Sequence, residues 1–301
     1  MENLEYHNPV LLHETVDGLN IKPDGVYVDV TFGGGGHSRE ILKRLGENGR
    51  LLAFDQDQDA QENAIDDERF TLIPENFRFI KKFLRFEGYK KVDGILGDFG
   101  VSSHQFDVAE RGFSTRYDAK LDMRMDQEGL LSAYEVINEY EEEALKKVFY
   151  EYGELKNAPK LAKVIVEARE EAPIKTGVEL KELLLPLLFK GKEFKILAQI
   201  YQAIRIEVNQ EIEVLKEFLK QTEQLLEKGG RISLISYHSL EDRLVKRYIR
   251  NGLFQGEAEK DFYGNISVPF KKVGGLVKPS PEEIKQNNRA RSARLRVGEK
   301  L

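Results

Sequence analysis

The sequence predicts an α/β fold, a mostly parallel sheet with helices on both faces, interrupted by an all-helical insertion. Three observations predict it. Short β-branched and aromatic runs alternate with helical stretches through the first hundred residues, the rhythm of βαβ units. Two of those runs end in an acid followed by glycine or a turn, as strands do at the functional edge of such a sheet. Between Gln105 and Ile200 the rhythm gives way to helical periodicity alone, and it resumes at Arg231.

Taken in order, Val26–Phe32 is a buried strand bounded by Asp24-Gly25 before it and four glycines after it. Ser38–Leu45 follows with apolar residues at helical spacing and stops at Gly46. Arg50–Asp55 reads as a second strand, Asp57–Ala64 as a second helix, Phe70–Ile73 as a third strand and Val92–Asp98 as a fourth. The insertion holds helical stretches at Ser132–Phe149, Pro159–Glu171 and Val178–Phe189. Glu207–Lys228 predicts one long amphipathic helix stopped by Gly229-Gly230. Arg231–Tyr237 is again a strand, a helix starts at Ser239, and Ser292–Val297 suits a final strand. The expected division is 1–104 with 201–301 as one domain and 105–200 as the insertion.

Composition narrows the chemistry. With no cysteine, disulfides, thiolate metal sites and a cysteine nucleophile are excluded. The five histidines, at 7, 13, 37, 104 and 238, show no H-E-x-x-H spacing, so no built-in metal is expected. No apolar run is long enough to span a membrane, and the acidic start of the chain is unlike a signal peptide, so a cytoplasmic protein without membrane contact is expected. The net charge of −6 hides an asymmetry. Residues 243–301 carry 14 lysines and arginines against 6 acids, a balance of +8, leaving 32 against 46, or −14, for residues 1–242. That asymmetry points weakly to an anionic partner of the C-terminal part, although a solvated basic face would look the same.

Four constellations could carry function. The first is the glycine run after Asp29, Gly33 to Gly36, followed by His37 and Ser38. Glycines between a strand and a helix let backbone approach a ligand, because no Cβ intrudes. Asp55, 22 positions after Gly33, ends the second strand where an acid can bind the two hydroxyls of a ribose. A dinucleotide fingerprint would need glycine where Ser38 stands, which lowers the nicotinamide reading. S-adenosylmethionine fits better: it has no pyrophosphate, and Asp29 would face the ammonium of its amino-acid tail. A purely structural turn is the competing account.

The second constellation is Asp98 to Gln105, a polar loop at the end of the fourth strand. Asp98 either faces the same crevice or caps its strand. Ser102-Ser103-His104 lacks a G-x-S-x-G elbow, which argues against hydrolysis. The third is Tyr237-His238-Ser239, where Ser239 would cap a helix with Asp242 three residues on, and His238 is either functional or packed beneath it. The fourth is the arginine stretch, in which Arg289, Arg291 and Arg294 could grip phosphates or line the open face of the last strand.

These blocks resemble one known family, the bacterial 16S rRNA cytosine-N4 methyltransferases, class I enzymes dependent on S-adenosyl-L-methionine (SAM) with a Rossmann-like sheet. The matching segments run in order along nearly the whole chain: His13–Val16, Thr31–Ser38, Asp98–Ser103, Ala109–Ser114, Leu121–Asp126, Gln202–Asn209, Ser239–Arg243 and Arg289–Ser292. The resemblance implies SAM as cofactor, held by Gly35, Gly36, His37, Asp55, Phe77, Asp98 and Gln105, with Phe77 packed on the adenine. It implies N4 methylation of cytidine 1402 of 16S rRNA in the small ribosomal subunit, with the insertion recognising RNA, and it is compatible with a homodimer. Departures stand at Ser103-His104-Gln105, where the family has S-P-Q, at Gly153-Glu154-Leu155, where it has Gly-Glu-Glu, and at Phe194–Tyr201, where it is richer in threonine and arginine. They bear on the RNA-facing insertion rather than on the cofactor loop.

Cytosine N4 is a poor nucleophile because its lone pair is delocalised into the ring. An acceptor for its N–H would help localise that pair, and Asp98 or a backbone carbonyl of Gly97–Gly100 is the expected acceptor. Two other classes compete: a nicotinamide-linked oxidoreductase, and an RNA-binding assembly factor without catalysis.

Overall fold

The computed structural model describes residues 9–256, 258 and 267–301; His7 and the acidic start of the chain lie outside them. The chain divides into two compact units, 1–100 with 212–301 and, between them in sequence, 101–211.

The first unit begins with α1 (Leu12–Gly18), β1 (Val26–Asp29), α2 (Gly36–Arg44), β2 (Arg50–Phe54), β3 (Phe70–Ile73), α3 (Ile80–Phe86) and β4 (Val92–Asp98). Within the second unit lie α4 (Ser103–Asp107), α5 (Ala133–Glu139), α6 (Glu142–Glu151), α7 (Ala158–Glu171), α8 (Gly177–Leu184) and α9 (Glu193–Asn209). After them come α10 (Glu211–Leu225), β5 (Leu226–Ser236), α11 (Ser239–Asn251), β6 (Phe270–Val277), α12 (Pro281–Gln286) and β7 (Arg294–Lys300).

The seven strands form one sheet in the order β3-β2-β1-β4-β5-β7-β6. The first five are mutually parallel, and β7 runs antiparallel to both β5 and β6. Successive side chains of a strand point to opposite faces, and here both faces are apolar, as expected of a parallel sheet buried on both sides. Val28, Leu52, Phe54, Ile95, Ile232 and Leu234 pack with Ile80, Leu84, Phe218 and Val245 on one face. Tyr27, Leu51 and Leu96 pack with Val16, Ile41 and Leu42 on the other. Ser233, buried within β5, is accommodated because its hydroxyl donates to the Thr15 carbonyl of α1 at 2.7 Å.

The second unit has its own core, in which Leu145, Phe149, Leu161, Ile165 and Leu180 surround Ile196, Ile200 and Ile204 of α9. Among the described residues its only strand-like pairing is one bridge between Lys120 and Thr176.

Several boundaries differ from the sequence reading, each for a local reason. The 105–200 division falls short at both ends, because α9 is continuous to Asn209 and buries its apolar side in the second core. Glu207–Lys228 is two helices, since Gln210 adopts φ 51° and its N–H closes α9 onto the Ile206 and Glu207 carbonyls. Ser132–Phe149 is also two, broken where Tyr140 and Glu141 are extended. The turn after β2 is 3₁₀ over Gln58–Asn63, capped by Asp57. Ser239 is not the cap of α11: His238 holds that position without a capping bond, and Asp242 instead pairs with Arg294 and Arg296. β6 carries Gly274-Gly275 in its middle, which hid its alternation. Among the described residues no helix is long and apolar enough to cross a membrane.

Phe218 of α10 is fully buried and meets the rings of Phe77 and Phe99 edge-on, with centroids 5.4 and 5.9 Å away. Phe218→Ala is expected to cost about 3–5 kcal/mol, the range for truncating a buried aromatic ring, measured as a lower midpoint in urea unfolding.

Candidate active site

The carboxyl ends of β1, β2, β4 and β5 converge on the glycine loop. Gly33 and Gly35 have φ of 51° and 73°, values that favour glycine, and they turn the chain from β1 into α2. Gly36 sits so close to Pro9 that a Cβ there would lie 2.0 Å from Pro9 Cγ, so only glycine fits at that approach.

Asp29 ends β1 and is fully buried. The Ser38 hydroxyl donates to its Oδ2 at 2.7 Å and the Thr31 N–H to its Oδ1 at 3.1 Å, which stitches strand, loop and helix together. Position 38 thus carries a hydroxyl with a defined task where a dinucleotide fingerprint would have glycine. Asp55, just past β2, accepts from Gly33 N–H at 2.7 Å and Asp57 N–H at 2.9 Å. Asp98, last in β4, accepts from the Tyr237 hydroxyl at 2.8 Å, while its own N–H donates to Thr31 Oγ1 at 2.6 Å. Its side chain is 21 % exposed, so an oxygen remains within reach of a ligand.

None of these three carboxylates meets a lysine or arginine among the described residues, and burial dominates their electrostatics. It raises Asp29 and Asp55 to about 6 and Asp98 to about 7, the Tyr237 bond partly offsetting the rise at Asp98. His37 is buried as well, and burial lowers it to about 4. Its Nε2–H donates to the Val10 carbonyl at 3.2 Å, leaving the Nδ1 lone pair 3.9 Å from Asp98 Oδ2. A neutral imidazole at that distance is a neighbour of Asp98 and not an ion-pair partner.

The structure therefore brings Gly35, Gly36, His37, Asp55 and Asp98 to one end of the sheet. Phe77 follows β3 in a 3₁₀ turn, packed on Phe99 at 5.8 Å and only partly buried. Gln105 belongs to the second unit, where it completes a capping box: its Oε1 accepts from Ser102 N–H and its N–H donates to Ser102 Oγ. Arg291 is exposed, Arg289 is partly buried, and Arg294 donates to Asp242 at 3.0 Å. Tyr237 had no role in the sequence reading. Its partner is set by β5 lying beside β4, which the order of residues along the chain does not display.

A buried carboxylate without a cationic partner should cost stability once ionised. Protonated in the fold to about pH 6 but ionised above about 4 when unfolded, Asp29 destabilises the ligand-free protein as pH rises through that window. Asp29→Asn is expected to raise the melting temperature at pH 8 and to lose that advantage at pH 4. Thermal scans at both values check it.

Comparison with known proteins gives the setting for this geometry. A sequence profile described as the MraW methylase family matches residues 5–301. A protein of Christiangramia forsetii named ribosomal RNA small subunit methyltransferase H is 77 % identical over 298 residues, covering 99 % of both chains. Proteins of the same name from Flavobacterium johnsoniae and Bacteroides thetaiotaomicron are 71 % and 54 % identical, again over 99 % of each chain. Matched along nearly its whole length and sharing more than half its residues with these relatives, the chain belongs to the MraW methylase family.

Proposed function

We propose that the protein is a SAM-dependent methyltransferase that modifies the exocyclic N4 of cytidine 1402 in 16S rRNA of the small ribosomal subunit. One observation carries the cofactor: three carboxylates, Asp29 buried and Asp55 and Asp98 half-buried, lie beside a glycine loop at the carboxyl edge of a parallel sheet with no lysine or arginine partner among the described residues. They suit a ligand with an ammonium, a sulfonium and a ribose diol. The relatives' shared name supports the RNA substrate, and the motifs quoted above support the base.

In this reading Asp29 receives the ammonium, directly or through water. Asp55 accepts one backbone N–H at each oxygen and has lone pairs left for the ribose hydroxyls. Gly35 and Gly36 admit the ligand's approach, His37 walls the pocket as a neutral ring, and Phe77 offers a face to the adenine. When bound, SAM supplies an electrophilic methyl group. Asp98 then accepts an N–H of the target amine, localising its lone pair, while the alignment of donor and acceptor accounts for most of the rate. The base must leave its stack to reach this edge. We assign RNA recognition to the helical unit, 101–211, and phosphate contacts to Arg289, Arg291 and Arg294. The reading includes a cytoplasmic location, where small subunits are, and is compatible with a homodimer.

Incubation with labelled SAM and small subunits lacking the modification is expected to yield N4-methylcytidine on nucleoside analysis. Tight SAM binding without label in RNA would overturn the substrate, and Asp98→Ala with near-normal turnover would remove the acceptor. SAM affinity is expected to rise from pH 5.5 to 8, because a cationic ligand favours ionised Asp29, Asp55 and Asp98; calorimetric titration at both values checks this. Arg291→Ala should weaken subunit binding and reduce the slope of log affinity against log salt by about one.

A further inference from the structure

Tyr237 follows β5 directly and is held on three sides. Its N–H donates to Oε2 of Glu241, a carboxylate only 2 % exposed, at 3.0 Å. Its ring lies against Gly100, where a Cβ would stand 3.3 Å from Tyr237 Cδ2. Its hydroxyl donates to Asp98 Oδ1 at 2.8 Å. Glu241 also lies 3.1 Å from His238 Nε2, outside hydrogen-bond geometry, so the two residues after β5 are arranged around this one carboxylate.

We propose that Tyr237 is the positioning residue of the methyl-transfer site: its hydroxyl fixes one oxygen of Asp98 and thereby presents the other to the target amine. The proposal rests on the reading of Asp98 as the amine's acceptor. A carboxylate free to rotate offers either oxygen in many orientations, whereas one pinned at Oδ1 offers Oδ2 in one. Burial holds the Tyr237 hydroxyl well above its ordinary ionisation range, so it stays a donor throughout the working pH range. The groups around Asp98 divide by sign. Tyr237 favours its ionised form, Asp29 and Glu241 oppose it, and neutral His37 stands beside Oδ2.

Tyr237→Phe keeps the ring on Gly100 and removes only the hydroxyl. It is expected to move the acid limb of the kcat–pH profile about one unit to higher pH and to lower kcat at pH 7 about tenfold, the scale of a lost hydrogen bond to a charged group. KM for the small subunit, and Kd for SAM at pH 9 where Asp98 is ionised in both proteins, should be unchanged, while part of the loss in kcat persists at pH 9 because the freed carboxylate no longer presents one oxygen. Glu241→Gln retains the acceptor for Tyr237 N–H but removes a charge opposing Asp98, so its acid limb should move to lower pH. An unmoved limb in Tyr237→Phe, or kcat restored in full at pH 9, overturns the positioning role when Asp98→Asn is inactive. Wild-type turnover by Asp98→Asn would instead overturn the acceptor reading beneath it.

Discussion

The hydrogen bond from Ser38 to the buried Asp29 carboxylate is the constraint on which the rest of the site depends. It ties the last residue of β1 to the first turn of α2 across four glycines that could not hold one conformation alone. With that closure made, Thr31 points back to Asp29 and also receives the Asp98 N–H, so the ends of β1 and β4 share one set of contacts. Gly33 meanwhile leans on Asp55 at the end of β2. Three strand ends and one loop are thus joined by one set of hydrogen bonds.

The same arrangement leaves charge unsatisfied. Asp29, Asp55 and Asp98 accept hydrogen bonds from the protein, yet no lysine or arginine among the described residues neutralises them. Elsewhere on this chain acids of similar depth are paired: Asp242 with Arg294 and Arg296, and Glu211 with Arg205. The contrast marks the sheet edge as the place where carboxylates collect without a lysine or arginine among the described residues.

Part of the basic C-terminal stretch is spent within the fold. Arg294 and Arg296 anchor β7 to α11 through Asp242, while Arg291 projects to solvent. The capping box expected at Ser239 is displaced by that use of Asp242, since a carboxylate bridging two guanidinium groups gains more than one closing a helix turn.

Much was legible in the order of residues. The strands at Phe70–Ile73 and Val92–Asp98, the glycine turn, and the acids at strand ends follow from periodicity and from glycine's steric freedom, which are local properties. The helix breaks at Gln210 and Tyr140 were not legible, because no glycine or proline marks them. Gln105 could be named but not placed, since its amide is drawn into a cap within its own helix. By itself, then, the sequence determined the fold class, the glycine turn and the acids at the strand ends. Only the tertiary structure decided which group meets which: Tyr237 reaches Asp98 because β5 lies beside β4, and that adjacency is created by non-local pairing that no spacing along the chain encodes.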